Sequence, residues 1–250
     1  MGRHFFISEE SIQGRKAFLS PMESHHLTKV LRKKMGDSIQ LLSGKGKIYE
    51  GKIAKIEPQV EIDIISTKIQ EEASSPLLVL CPALLKNNKM DWLIEKATEL
   101  GVHIILPFES EHGVVKTKED VSKKIFRWEK IAQAALKQSG RGLLPQIGPC
   151  FDFDEMLKYF QDQNAIKLMF SVENIHSTPL TELSKLIQQK GELSSWVFLI
   201  GPEGGFSPRE EKRALAAGFH LCSLGLHTLR AETAGLAALS ILKYLRESLQ

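Results

Sequence analysis

At 250 residues, 42% hydrophobic and 25% charged, the chain can bury a proper core, as one α/β domain or as a small domain followed by a medium one. A net charge of +3 is too small to announce a nucleic-acid binder, and no apolar run approaches the roughly 20 residues that cross a bilayer. The opening "MGRHFFISEE" has no apolar stretch followed by a cleavage site. Cys81, Cys150 and Cys222 stand apart without disulfide or metal spacing, so a cytoplasmic protein with no membrane span and no metal is expected.

Charge is unevenly spread. Residues 1–70 carry a net of +4 and the remainder −1. Within that first quarter, "ESHHLTKVLRKKMGD" has a short helix pattern, with Leu27, Val30 and Leu31 on one face. Short β-rich runs follow, separated by "SGKGK" and by the turn at Glu57–Pro58, which predicts a small barrel or meander over residues 1–70. The polar, proline-ended stretch at 71–76 is the expected linker to a second domain over residues 77–250.

After Pro76 strands and helices alternate. "LLVLCPALL" is a strand, "MDWLIEKATELG" a helix closed by Gly101, "VHIILPF" a strand and "SKKIFRWEKIAQAALKQSG" a long helix. "AIKLMFSV" is a strand, and "TPLTELSKLIQQKG" a helix with Thr178 at its N-cap. "SWVFLIG", "SPREEKRALAAG", "HLCSLG" and "AETAGLAALSILKYLRESL" continue as strand, helix, strand and closing helix. Such alternation with short connections predicts a mostly parallel sheet covered by helices. Trp92 and Trp128 read as core residues, and His25 and His26 as surface or capping residues.

Two loops carry the chemistry. "GPEGG" at 201–205 leaves a strand at the end where parallel sheets bind ligands. Gly204 and Gly205 can adopt positive φ there. Ser207, Pro208 and Glu210 form a capping box that occupies the helix donors a phosphate would use, and Glu203 repels anions. A tight turn without a ligand and a cradle for a non-anionic ligand such as a nucleoside both remain open. In the second segment, "SLGLHTLRAETAGLAAL", small residues around Gly235 let another backbone come close, while Arg230 and Glu232 flank the start of a largely apolar helix.

Together, "LIGPEGGFSPREE" and "LGLHTLRAETAGLAAL" resemble the SPOUT methyltransferases, in particular the family that makes N3-methyluridine in 16S ribosomal RNA, small-subunit methyltransferase E. "HHLTKVLRKKMGD", "LLKNNKMDWLIEKATELGV" and "AALKQSGR" extend the resemblance over nearly the whole chain. The sequence departs from the family at Ala231, where Thr is usual, and at Leu226 and His227, where Pro and Arg are common.

The resemblance implies a C-terminal parallel α/β domain with a trefoil knot, preceded by a small PUA-like β-barrel that binds RNA. It implies S-adenosylmethionine as cofactor, held by Leu199, Ile200, Gly201, Pro202, Glu203, Gly204 and Gly205 from one loop. Leu224, Gly225, Leu229, Thr233 and Ala234 are the matching positions of the other. Arg230 is the candidate cation for the developing uridinate, and Glu232 either orients it or takes the proton. Arg3, Arg32, Lys33, Lys34 and Arg141 are the candidate RNA contacts, with Lys45 and Lys47 beside them. The expected partner is 16S ribosomal RNA or the small ribosomal subunit, and the expected assembly a homodimer. Two alternatives stay open: a SPOUT enzyme acting on tRNA or a ribose 2′-hydroxyl, and a non-catalytic RNA-binding assembly factor.

Overall fold

The computed structural model describes residues 4–70, 76–86, 88–115, 121–171, 178–189 and 192–249. Arg3 and residues 71–75 of the expected linker lie outside them. The chain divides into two compact units, one of Met1–Glu72 with Ala132–Leu144, the other of Ala73–Ile131 with Pro145–Gln250.

The first unit is built on a six-stranded sheet in the order His4–Phe6, Ser38–Leu42, Lys47–Lys55, Glu61–Ile69, Lys16–Phe18, Ile12–Gln13. Only the first pair is parallel. Alternation along the strands sends Ile39, Leu41, Ile53 and Ile62 to a buried face shared with Phe5, Leu19 and Leu27. Ser20 accepts a hydrogen bond from Glu23 N at 3.3 Å and starts the helix Pro21–His25. The next turn, His26–Val30, widens to π-helical geometry. That widening breaks the expected apolar face: Leu27 is buried, but Val30 is 58% exposed. Residues 132–144 complete the unit. Lys137 Nζ donates to Glu23 Oε1 at 2.6 Å, and Gly142 N donates to Gln70 Oε1 at 2.5 Å.

The second unit holds a seven-stranded, wholly parallel sheet. Its order is Gln146–Ile147, Ile104–Ile105, Leu77–Pro82, Ser195–Ile200, Ala165–Phe170, His220–Ser223, Thr178–Pro179. Ser195–Ile200 is buried at every position, as a strand covered on both faces requires.

Several elements differ from the sequence expectation. "VHIILPF" splits into Ile104–Ile105 and Phe108–Glu109, because Pro107 between them has no N–H to donate to a ladder. Thr178 is not an N-cap; it pairs with Cys222 in a short edge strand, and the helix Leu180–Gln189 follows. The helix Phe153–Tyr159, started by an Asp152–Glu155 capping box, was not anticipated. Trp128 is buried, but Trp92 is 43% exposed.

The helices near the two loops are firmly anchored. In Pro208–Ala216 the capping box is complete: Glu210 N donates to Ser207 Oγ at 3.1 Å and Ser207 N to Glu210 Oε2 at 2.8 Å. Glu210 Oε1 also accepts from Glu111 N at 2.9 Å, and Ser207 Oγ donates to Glu111 Oε2 at 2.6 Å. Arg213 bridges Glu111 and Asp154, each at 2.8 Å. The closing helix Ala231–Ser248 lies against Lys89–Leu100 where Gly235 leaves room. A Cβ at Gly235 would stand 3.0 Å from Leu93 Cδ1 and 3.8 Å from Ile200 Cγ1.

Gly235→Val should overpack this contact and cost about 1–3 kcal/mol. At roughly 2–4 °C per kcal/mol for a chain of this size, differential scanning calorimetry would show Tm lower by several degrees. A second test concerns acid. The hydrogen bond from Ser207, opposed by partial burial and aided by Arg213, holds the Glu111 carboxyl below its ordinary 4.5. A carboxylate lowered on folding stabilises above its unfolded value and loses that contribution as pH falls through its folded value. Glu111→Gln should therefore flatten the fall in Tm between about pH 5 and pH 3.

Candidate active site

The strands Ala165–Phe170 and Ser195–Ile200 run parallel with Phe170 opposite Ile200, so both end on one edge of the sheet. Beyond that edge lies a cavity of about 370 Å³. Phe170, Ser171 and Ile200 form its base, residues 201–206 one wall, and Thr228, Leu229, Arg230, Ala231 and Ala234 the other. A smaller hollow of about 30 Å³ adjoins it, lined by Ser223, Leu224, Gly225 and His227 together with Phe170, Ser171, Leu229 and Ala234.

The three glycines of the first loop serve different needs. Gly205 alone among them has positive φ, at 70°, and its N–H donates to Pro202 O at 2.9 Å to close the turn. Gly204 does not enter the left-handed region; a Cβ there would stand 3.2 Å from His112 Cβ. At Gly201 a Cβ would stand 3.1 Å from the Phe206 ring. Phe206 in turn stacks on Phe108 with 6.2 Å between ring centroids.

Charges surround the cavity mouth. Glu203 accepts a hydrogen bond from Lys89 Nζ at 2.8 Å. Burial pushes the Glu203 carboxyl up, but Lys89 and backbone N–H groups outweigh it and hold the group below its ordinary range. The bond to Glu203 raises Lys89, opposed by burial, and Glu232 adds to the rise while Arg230 counters it. Arg230 stands at the N-cap of the closing helix with extended backbone, its side chain exposed. It makes no hydrogen bond or ion pair among the described residues. Glu232 is only 8% exposed, and its Oε2 is buried without a hydrogen-bond partner. A buried carboxylate oxygen left unmatched is costly and marks a place where a donor is missing. With the helix donors of Pro208–Ala216 already used by the capping box, this wall is poorly suited to a phosphate.

The geometry gathers most of the residues singled out above. Ile200, Gly201, Pro202, Glu203, Gly204, Gly205, Leu229, Arg230 and Ala234 line the main cavity, and Leu224 and Gly225 the adjoining one. Leu199 packs in the core beneath, and Thr233 is exposed outside the lining. Phe170, Ser171, Phe206 and Thr228 were not anticipated. The first two follow from register, since a strand end paired with Ile200 must share its ligand edge.

In the first unit, Arg32 and Lys34 are exposed and Lys33 is half-buried. Arg32 adopts φ of 52°, which turns the chain out of the π-helical segment. Lys45 and Lys47 pair with Glu9 at 3.8 and 2.9 Å, and Arg141 is buried. No helix among the described residues is long and apolar enough to cross a membrane.

Residues 72–243 match the family model for an RNA methyltransferase domain, and residues 21–65 that for an RNA methyltransferase PUA domain. The chain is 30% identical to ribosomal RNA small subunit methyltransferase E of Bacillus subtilis, over 100% of this chain and 99% of that protein. With the protein of the same name from Buchnera aphidicola it shares 33% identity over 95% and 91% of the two. It superposes with a TM-score of 0.84 on the crystal structure of a ribosomal RNA small subunit methyltransferase E from Neisseria gonorrhoeae bound to S-adenosyl methionine. That match has 30% identity and covers 97% of each chain. A parallel α/β sheet carrying a two-loop cavity, preceded by a small β domain, thus comes with full-length likeness in sequence and structure, and the chain belongs to the ribosomal RNA small subunit methyltransferase E family of RNA methyltransferases.

Proposed function

We propose that this chain transfers a methyl group from S-adenosylmethionine to N3 of a uridine in 16S ribosomal RNA of the small subunit, in the cytoplasm. The observation that carries the reading is a cavity between two loops with an uncommitted guanidinium, Arg230, in its lining, at the start of a helix whose Glu232, outside the lining, keeps an unmatched buried carboxylate oxygen. The residues present fit the cofactor. The cavity falls in the size range of small-molecule sites and is walled by Phe170, Ile200, Leu229 and Ala234, suited to a nucleoside. Gly201 and Gly204 keep backbone at the wall where a Cβ would crowd Phe206 and His112. The backbone of 201–205 with Leu224, Gly225, Leu229 and Ala234 would hold the cofactor, and the family resemblance adds Leu199, Ile200 and Thr233. When bound, S-adenosylmethionine supplies an electrophilic methyl group on a positive sulfonium, which an acidic wall tolerates.

The chain's own side chains then meet the demand of the acceptor. Uridine N3 is a poor nucleophile until its proton is lost or shared. Arg230 donates to the uracil oxygens and stabilises the negative charge that develops there. Glu232 either orients Arg230 or accepts the N3 proton. Positioning supplies much of the remaining acceleration. Arg32, Lys33 and Lys34, with Arg3 and Arg141, are read as contacts to RNA from a domain spanning 1–70 that precedes a catalytic domain spanning 77–250.

Two further features belong to this reading. A trefoil knot is supported by the path of the chain after Ser223: it leaves a strand beyond Ala165–Phe170 and returns to pack Gly235 against Leu93 and Ile200. A homodimer is supported by exposed Trp92 and Tyr244 on the adjacent helices Lys89–Leu100 and Ala231–Ser248.

Arg230→Ala should lower methyl transfer by about 10²–10³-fold or more while calorimetry finds cofactor binding close to wild type. Near-normal turnover in that variant would overturn the role. For the product, 16S RNA and small subunits from a strain lacking this enzyme are incubated with the protein and labelled cofactor, and the modified base is mapped by mass spectrometry. N3-methyluridine is expected. A methyl group on a ribose 2′-oxygen or on tRNA instead would favour another SPOUT activity, and no cofactor binding at all would favour a non-catalytic RNA binder.

A further inference from the structure

Among the described residues, Glu203 and Arg230 are the only charged side chains in the lining of the main cavity. A guanidinium that shares a cavity with a carboxylate ordinarily takes it in a forked, charge-assisted pair. Arg230 does not: its exposed side chain makes no hydrogen bond or ion pair among the described residues. The neighbouring helix supplies the reason. Lys89 is the first residue of Lys89–Leu100, and its Nζ donates to Glu203 Oε1 at 2.8 Å. Backbone N–H groups of Lys86 and of Glu203 itself also serve that carboxylate, so Glu203 meets the cavity already matched.

Helix packing puts Lys89 in this position. Lys89–Leu100 and Ala231–Ser248 run side by side in one direction, from the cavity edge of the sheet to the edge where the strand Leu77–Pro82 begins. There the chain after the first helix meets Leu78, with His103 N to Leu78 O at 3.1 Å, and Arg246 Nη1 of the second lies 3.5 Å from Pro76 O. The two helices touch at Leu93 and Gly235. One turn earlier on each stand Lys89 and Glu232, side by side at the cavity end. The bond to Glu203 raises Lys89, and the opposed fields of Glu232 and Arg230 also reach its ammonium.

We propose that Lys89 is a positioning residue for methyl transfer: by holding Glu203 it keeps the Arg230 guanidinium free for the acceptor base. The inference rests on the role given to Arg230 under the proposed function. Without the Lys89 ammonium, Glu203 has an open acceptor oxygen at the cavity, and Arg230 is the cation that shares its lining. A captured Arg230 cannot stabilise charge on the uracil oxygens, so the rate falls with the captured fraction.

The test compares full-length variants by steady-state methylation of 16S RNA with labelled cofactor, and by calorimetry of cofactor binding. Lys89→Met should lower kcat about fivefold, the scale of one exposed ion pair, with KM for RNA and cofactor affinity close to wild type. Lys89→Arg should recover the loss, because a cation again holds Glu203. Adding Glu203→Gln to Lys89→Met should recover most of it as well, since no carboxylate is then left in the lining to take Arg230. In an Arg230→Ala background, Lys89→Met should change turnover by less than about twofold, because it acts through Arg230. Wild-type kcat in Lys89→Met, with Arg230→Ala impaired, would overturn the Lys89 role alone. So would a double variant no more active than Lys89→Met, or a loss confined to cofactor affinity, either of which makes Lys89 a tether for the glycine loop. Normal turnover in Arg230→Ala would overturn the underlying reading and this role with it.

Discussion

The close approach at Gly235 is the constraint on which the site depends. The closing helix reaches Leu93 and Ile200 only because residue 235 has no side chain. Ile200 is also the last residue of the fully buried strand and the base of the cavity. Fixing the helix there fixes its first turn, and with it Arg230, Ala231 and Ala234, opposite the glycine loop. The opposite wall is held from its far side, where the capping box at Ser207, doubled by Glu111, leaves little freedom to the helix that the loop feeds. Neither loop alone forms a site. The cavity is the space left when two rigidly anchored loop ends face each other across neighbouring strand ends.

Electrostatics then decides what the space can accept. The anchoring of the first wall consumes the helix N-terminal donors, which removes the usual reason for a phosphate to bind. Lys89 is committed to Glu203, and Arg213 to Glu111 and Asp154. That leaves Arg230 as a cation in the cavity lining without a partner among the described residues, two positions before Glu232, whose buried Oε2 is also unmatched. Leaving a buried oxygen unpaired opposes folding, and the arrangement makes physical sense where a ligand donor completes it.

Much of this was legible in the sequence, for reasons that can be named. Capping chemistry is local, so Ser207, Pro208 and Glu210 announced their helix start, and Gly101 closed its helix as expected. Continuous apolar runs identified the central strands. What failed were features set by tertiary partners. Val30 lost its place on the buried face because the helix widened to a π turn one step earlier. Thr178 has the chemistry of a cap, but pairing with Cys222 claimed its backbone. Gly204 looked like a residue needing positive φ, whereas its small size answers to His112, some ninety positions away in sequence. Phe170 and Ser171 carried no motif at all; only the register against Ile200 places them at the site.

Net charge was the least informative quantity, and the structure explains why. A formal +3 averages over cations whose roles differ entirely. Lys16, Lys47 and Lys68 are each bound to a glutamate on the first unit's own surface, at Glu61, Glu9 and Glu50, and their fields are largely cancelled there. Arg32, Lys34, Lys124 and Arg230 make no ion pair among the described residues, and each lies outside a β-strand, on a turn, a helix face or a helix cap. A polyanion responds to the local field of uncommitted cations within about a Debye length, roughly 8 Å at physiological salt, and not to the total. A nearly neutral chain can therefore present strongly cationic ground to RNA, provided its acids are spent on the lysines of its sheets. The basic excess of the first seventy residues is what remains after all their acids are counted, and Arg32 and Lys34, which make no ion pair among the described residues, carry part of it.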